Sequence, residues 1–153
     1  MKILFVCLGN ICRSPAGENI FRHTARKAGV AAQFSIDSAG TAAWHTGKGP
    51  DARMTQTLTS RGVEVTGKAR QIQPADLAEF DLILTMDDEN YANVRKLDPA
   101  GTFAEKIQKF TSYCQHHEQS EVPDPYYGGQ DGFDLVADML EEGSSCLIEK
   151  YSS

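Results

Sequence analysis

The sequence predicts an α/β fold with a parallel sheet, and three observations carry that expectation. Two short runs, residues 2–7 and 82–86, are apolar without alternation, as strands buried on both faces of a parallel sheet are. Segments with apolar residues at helical spacing separate the strand-like runs, which is the pattern of right-handed βαβ units. Glycine and proline are dispersed as punctuation, with no repeat or low-complexity tract, so residues 1–153 are expected to form a single domain. In such folds the ligand site lies beyond the carboxyl ends of the strands, where Cys7 and Asp87 fall.

The first strand, 2–7, is closed by Gly9. Ser14 and Pro15 then supply an N-cap and a first-turn proline, and Ile20, Phe21, Thr24 and Ala28 keep helical spacing to a stop at Gly29. Glu18 falls one residue late for a capping box. Residues 34–38 alternate like a strand ending at Ala39-Gly40, and a helix over 50–60 stops at Gly62. The third strand, 82–86, runs into Asp87-Asp88 and yields to a helix over 89–97, which Asp98-Pro99 ends. A weaker strand is expected at 107–110, before a polar loop reaching Gly129. Phe133, Val136, Ala137, Leu140, Leu147 and Ile148 line one face of a final helix, with a break or bend expected near Gly143.

Composition removes several classes of function. Fifteen Lys and Arg against 21 Asp and Glu give a net charge of −6, which lacks the positive field that nucleic-acid binding uses. The apolar run from Ile3 to Leu8 is far below the roughly 18 residues of a membrane span, and it passes into a polar loop without a signal-peptide cleavage pattern. Four cysteines are few for a disulfide scaffold and predict reduced thiols in the cytoplasm. Neither Cys7/Cys12 nor Cys114 with His116 and His117 has the paired spacing of a zinc site, so no metal is expected.

The chemistry lies in residues 7–15, Cys-Leu-Gly-Asn-Ile-Cys-Arg-Ser-Pro, which join a buried strand to a helix N-terminus. Successive amides in a tight loop can converge, and the helix end adds partial positive charge, so the segment suits an oxyanion. Gly9 permits the turn, and Asn10 tolerates a left-handed backbone. The same field favours a thiolate at Cys7. Arg13 adds a planar cation suited to two phosphate oxygens at once. A nucleoside-triphosphate loop would end in Gly-Lys-Ser/Thr, whereas this one ends in Arg13-Ser14. Cys7 alone reads as a small core residue and Arg13 alone as a surface charge; their spacing across a glycine loop points to a phosphate site.

With these residues in view, the chain resembles the low-molecular-weight protein tyrosine phosphatases, whose signature is Cys, five residues, Arg, Ser/Thr, Pro. The likeness extends to Asp37-Ser38, Trp44, Lys68-Ala69-Arg70, Met86-Asp87 and Asp124-Pro125-Tyr126-Tyr127-Gly128, in order along nearly the whole chain. It implies a three-layer domain, a four-stranded parallel sheet flanked by helices. It also implies phosphotyrosine hydrolysis through a cysteinyl-phosphate, with phosphotyrosine proteins as substrates, inorganic phosphate as product and no cofactor. In that chemistry Cys7 attacks phosphorus, Arg13 and the amides of Leu8, Gly9, Asn10, Ile11, Cys12, Arg13 and Ser14 hold the oxygens, and Asp124 is general acid and then base. Without the resemblance, Pro123-Asp124-Pro125 reads as a stiff turn. The Ser14 hydroxyl is expected on the Cys7 sulfur, Asn10 and Ser38 as props of the loop, and Asp87 beside the arginine. Leu8, Trp44, His45, Tyr126 and Tyr127 are the implied walls of the cleft. Cys12 repeats the family's second loop thiol, able to form a reversible disulfide with Cys7 under oxidation. Gly67 departs from relatives that carry a histidine there, so one hydrogen bond to the loop support is expected to be missing or replaced by water. The chain is expected to act as a monomer, with weak self-association at most.

Three other readings stand against this one. Arsenate reductases of the same fold relay oxidation to further cysteines near the third strand, and residues 80–91 contain none. Protein arginine phosphatases resemble a loop with Thr where this chain has Ile11. Sugar-transport phosphoryl-relay modules also begin with a strand and a cysteine loop, yet they lack the loop arginine and the distant Asp. A phosphate-binding module without catalysis would be expected to lose a reactive group, and none is missing.

Overall fold

The two unalternating apolar runs become the middle of one sheet. A computed structural model describes residues 1–113 and 120–153. Its strands are β1 (Lys2–Cys7), β2 (Ser35–Gly40), β3 (Leu82–Thr85) and β4 (Ile107–Lys109), all parallel in the order β2-β1-β3-β4. Both faces of the two central strands are covered, so Ile3, Leu4, Phe5, Val6, Ile83 and Leu84 are fully buried. Each such side chain contributes about 1.5–3 kcal/mol of transfer free energy. Odd residues of β1, Ile3 and Phe5, belong to one core and even ones, Leu4 and Val6, to the other, as a strand with two covered faces requires.

The helices are α1 (Arg13–Lys27), α2 (Ala52–Ser60), α3 (Pro74–Glu79), α4 (Asp88–Arg95) and α5 (Gln130–Tyr151). On the larger core, α1 packs on α5, and Phe5 stands between Phe21 and Phe110 with ring centroids 6.1 Å from each. Leu77 of α3 and Val94 of α4 cover the other face. No helix among the described residues is long and apolar enough to cross a membrane.

Several boundaries differ from expectation for identifiable reasons. Cys12, not Ser14, is the N-cap of α1 and makes no side-chain cap bond; the Ser14 hydroxyl is turned to Cys7 Sγ instead. The first-turn amides of α1 are thereby left available to an anion. Helix α2 begins later than expected because Asp51 caps it, its Oδ1 accepting from the amides of Arg53 (2.8 Å) and Met54 (3.2 Å). Helix α3 adds an element that the sequence pattern does not predict; Pro74 starts it, and the reciprocal capping box of Gln73 and Asp76 stabilises its first turn. Helix α5 runs unbroken through Gly143. That glycine makes room for a ring: a Cβ there would lie 2.2 Å from Phe110 Cζ.

Candidate active site

The carboxyl end of β1 delivers Cys7 to the floor of an open cleft of about 220 Å³, with Cys12 and Arg13 beside it. The loop between β1 and α1 is held by its carbonyls. Cys7 O accepts from the Thr41 amide (2.9 Å), Leu8 O from Ala42 (3.0 Å), Ile11 O from Asp51 (2.7 Å) and Cys12 O from Ala16 (3.1 Å). In a trans peptide the next N–H points opposite to the carbonyl, so these bonds turn the amides of Leu8, Gly9, Cys12 and Arg13 away from the scaffold. Asn10 stands at φ 55°, the only non-glycine among the described residues with positive φ. Its side chain compensates the strain by bonding three ways. Nδ2 donates to Ser14 Oγ (2.8 Å) and Ser38 Oγ (3.0 Å), and Oδ1 accepts from the Arg70 amide (3.0 Å).

This support reaches further than the sequence suggested. Ser38 Oγ donates to Glu18 Oε1 (2.7 Å), and Glu18 Oε2 accepts from Arg22 Nη2 (2.7 Å). Glu18 is therefore a buried end of the loop's hydrogen-bond network, not a displaced capping residue. A Cβ on Gly67 would lie 3.8 Å from Glu18 Oε2, so the departure at Gly67 faces a carboxylate that Ser38 and Arg22 already engage. Arg70, whose amide holds Asn10, is itself clamped between Asp37 (3.0 Å) and Asp76 (3.0 Å). Asp76, on the unexpected helix α3, is the part of this support that local pattern hid.

Arg13 is 3% exposed. Its Nη1 donates to Asp87 Oδ2 at 2.6 Å and to Val122 O at 3.1 Å, and Nη2 lies 3.9 Å from Asp124 Oδ2. Burial opposes its charge, but Cys7, Asp87 and Asp124 outweigh that and hold the guanidinium above its ordinary pKa. Burial, then Asp51, Cys7 and Asp124, push the Cys12 thiol up to about 12. Cys7, Cys12 and Cys146 are free thiols.

The expected wall residues converge on this floor. Leu8, Trp44, His45, Tyr126 and Tyr127 all line the cleft with Asp124, and so does Ile11. Trp44 and Tyr127 are 71% and 93% exposed, and the His45 ring lies over Gly9, where a Cβ would come within 2.9 Å of it. Asn10 joins Ser14 and Ser38 by hydrogen bonds, and Asp87 holds Arg13. No three His, Cys, Asp or Glu side chains among the described residues are placed to hold a metal; Cys114, His116 and His117 lie outside the described residues.

Residues 2–152 match the family described as low molecular weight phosphotyrosine protein phosphatase. A Synechocystis protein bearing that family's name is 53% identical over 148 residues, covering 97% of this chain and 94% of its own. A Schizosaccharomyces pombe low molecular weight phosphotyrosine protein phosphatase is 45% identical over 87% of this chain and 85% of its own. The solved protein tyrosine phosphatase of Entamoeba histolytica superposes with a TM-score of 0.95 at 41% identity, covering 98% of this chain and 96% of that one. Sequence, fold and relatives agree: the chain belongs to the low molecular weight phosphotyrosine protein phosphatase family, and it is a protein tyrosine phosphatase of that family.

Proposed function

We propose that this chain hydrolyses phosphotyrosine esters in two displacements at phosphorus, with Cys7 as nucleophile and Asp124 as the proton carrier. The observation that supports it is the shared floor of the cleft: Cys7 Sγ 3.0 Å from Ser14 Oγ, next to an Arg13 guanidinium fixed by Asp87 and Val122. Ser14 Oγ accepts from Asn10, and its own proton has two acceptors in reach, Ala39 O at 3.4 Å and Cys7 Sγ at 3.0 Å; a sulfur anion is the stronger acceptor and is stabilised by it.

In the first step the Cys7 thiolate attacks phosphorus in line and the P–O(aryl) bond breaks. The proton on Asp124 passes to the departing phenolate oxygen. Arg13 and the inward amides hold the equatorial oxygens without rearranging, because both are anchored before substrate arrives. Asp124 Oδ1 accepts from the Tyr126 amide at 3.0 Å, which leaves Oδ2 for the proton. In the second step water attacks the phosphocysteine, Asp124 takes the water proton, and the P–S bond breaks to return the thiolate and inorganic phosphate. Ser14 steadies the leaving sulfur.

Two substitutions test this reading. Cys7→Ser is expected to abolish turnover, and Asp124→Ala to lower it about 10²- to 10⁴-fold on phosphotyrosine peptide. Turnover is expected to be unchanged by a chelator, since the fixed cations are protein groups. Full activity without Cys7, or strict dependence on added metal, would overturn the mechanism. Parallel rates on phosphoarginine peptide separate the aryl reading from the arginine one.

A further inference from the structure

Asp124 sits between two anchors, and each is an arginine. On its N-terminal side the Val122 amide donates to Met86 O (2.7 Å) and the Val122 carbonyl accepts from Arg13. On its C-terminal side lies Tyr126, whose amide holds Asp124 Oδ1. The Tyr126 ring is met by the Arg53 guanidinium, 5.2 Å from the ring centroid; the same guanidinium lies 4.8 Å from the Phe133 ring of α5. Arg53 Nη2 is also 3.4 Å from Asp51 Oδ2, and the Asp51 amide donates to Ile11 O in the phosphate loop. A continuous path therefore joins the phosphate loop to the acid's segment, through Asp51, Arg53 and Tyr126.

We infer that Arg53, which does not line the cleft, is a positioning residue for the general acid: its cation–π contact with Tyr126 fixes where Asp124 presents its proton. The inference rests on the assignment of Asp124 as general acid. The segment needs such a tether because residues 122–125 belong to no helix or strand, and a proton donor displaced by about 1 Å loses much of its effect. The Phe133 ring, 1% exposed on α5, gives the guanidinium a fixed seat. Tyr126 is thus both a wall of the cleft and the handle by which α2 holds the acid.

The test separates position from folding by leaving group. Phenyl phosphate needs a proton on its leaving oxygen, whereas dinitrophenyl phosphate leaves as a stable anion. Arg53→Met is expected to lower kcat/KM for phenyl phosphate roughly three- to tenfold, with less than about a twofold change for dinitrophenyl phosphate. Arg53→Lys, which keeps a cation near the ring, is expected to recover much of the loss. Tyr126→Leu removes the ring and also a wall of the cleft, so both substrates lose, but the ratio of kcat/KM for phenyl phosphate to that for dinitrophenyl phosphate is expected to fall as it does in Arg53→Met, and the inference stands or falls even if Arg53→Met folds poorly. Arg61→Met loosens the same helix from Asp138 and Glu141 of α5 without touching Tyr126, and it should affect both substrates alike. Equal losses on the two substrates for Arg53→Met and Tyr126→Leu, or no loss, would overturn the inference while an Asp124→Asn variant still discriminated between them. If Asp124→Asn itself failed to discriminate, the acid assignment would fall and this role with it.

Discussion

Cys12 lies in the phosphate loop yet is only 4% exposed, and burial followed by Asp51, Cys7 and Asp124 pushes its thiol up to about 12. At neutral pH it is therefore a thiol, and it is not expected to compete with the proposed nucleophile Cys7, because only the thiolate is a nucleophile of consequence. To resolve an oxidised Cys7, Cys12 must first give up that proton, so the resolving step is expected to run through its minor thiolate form. Peroxide is expected to oxidise Cys7 to a sulfenic acid, and attack by the Cys12 sulfur then to form the Cys7–Cys12 disulfide and release water. Activity lost to peroxide is expected to return with a thiol reductant, and Cys12→Ser is expected to lose most of that recovery as Cys7 oxidises further. Equal recovery in the two proteins, measured by phosphatase rate after reduction, would show that Cys12 gives no protection.

At the scale of elements, Gly143 and α3 show what a linear pattern conceals. A glycine inside a helical pattern suggests a break, but here α5 is continuous and the missing Cβ is the space filled by Phe110. Gly143→Ala should cost about 1–3 kcal/mol by overpacking, despite alanine's better helix propensity, and Phe110→Leu in the same chain should return part of it. A stabilised single variant in urea unfolding would contradict this contact. Helix α3 holds the loop support through Asp76, whose carboxylate meets the Arg70 guanidinium and accepts from the Gln73 amide at 2.7 Å. Asp76→Ala leaves Arg70 one carboxylate short and uncaps the helix. An expected loss of about 2–4 kcal/mol would be read by denaturant midpoint, and a loss below about 0.5 kcal/mol would show that Asp37 alone suffices. The central strands β1 and β3 were legible because each is a local run of buried residues. Six residues of α3 with two buried side chains are too short a pattern for helical period to declare itself.

Across the whole molecule the same division holds for the site. Cys7 to Ser14 could be read directly, since strand, glycine loop and helix start are contiguous. Asp87 could be placed at the site's end of the sheet by its strand, whereas Asp124 and the cleft walls came only through resemblance, because nothing local pairs them with Cys7. Glu18, Arg53 and the Asp76 link to Arg70 appear only when tertiary contacts do. The loop also belongs to the larger core: Cys12 packs with Cys7 and Ala16 in the cluster that contains Phe5 and Leu140, so its ionisation bears on global stability. The fold raises the Cys12 pKa from 9.0 to about 12, and the sign follows from proton counting. Below pH 9 both folded and unfolded chains carry the thiol proton, and stability is unaffected. Above it the unfolded chain releases the proton while the folded chain keeps it, so stability falls with rising pH until the folded group ionises near 12. Tyr113, raised by burial and by its bond to Tyr151, acts in the same direction. Comparing wild type with Cys12→Ala cancels the other titrating groups. The wild-type advantage in unfolding free energy is expected to shrink by about 1.5 kcal/mol between pH about 9 and about 10.5. A constant difference across that window, by urea unfolding at each pH, would mean that Cys12 ionises within the fold as freely as it does in the unfolded chain.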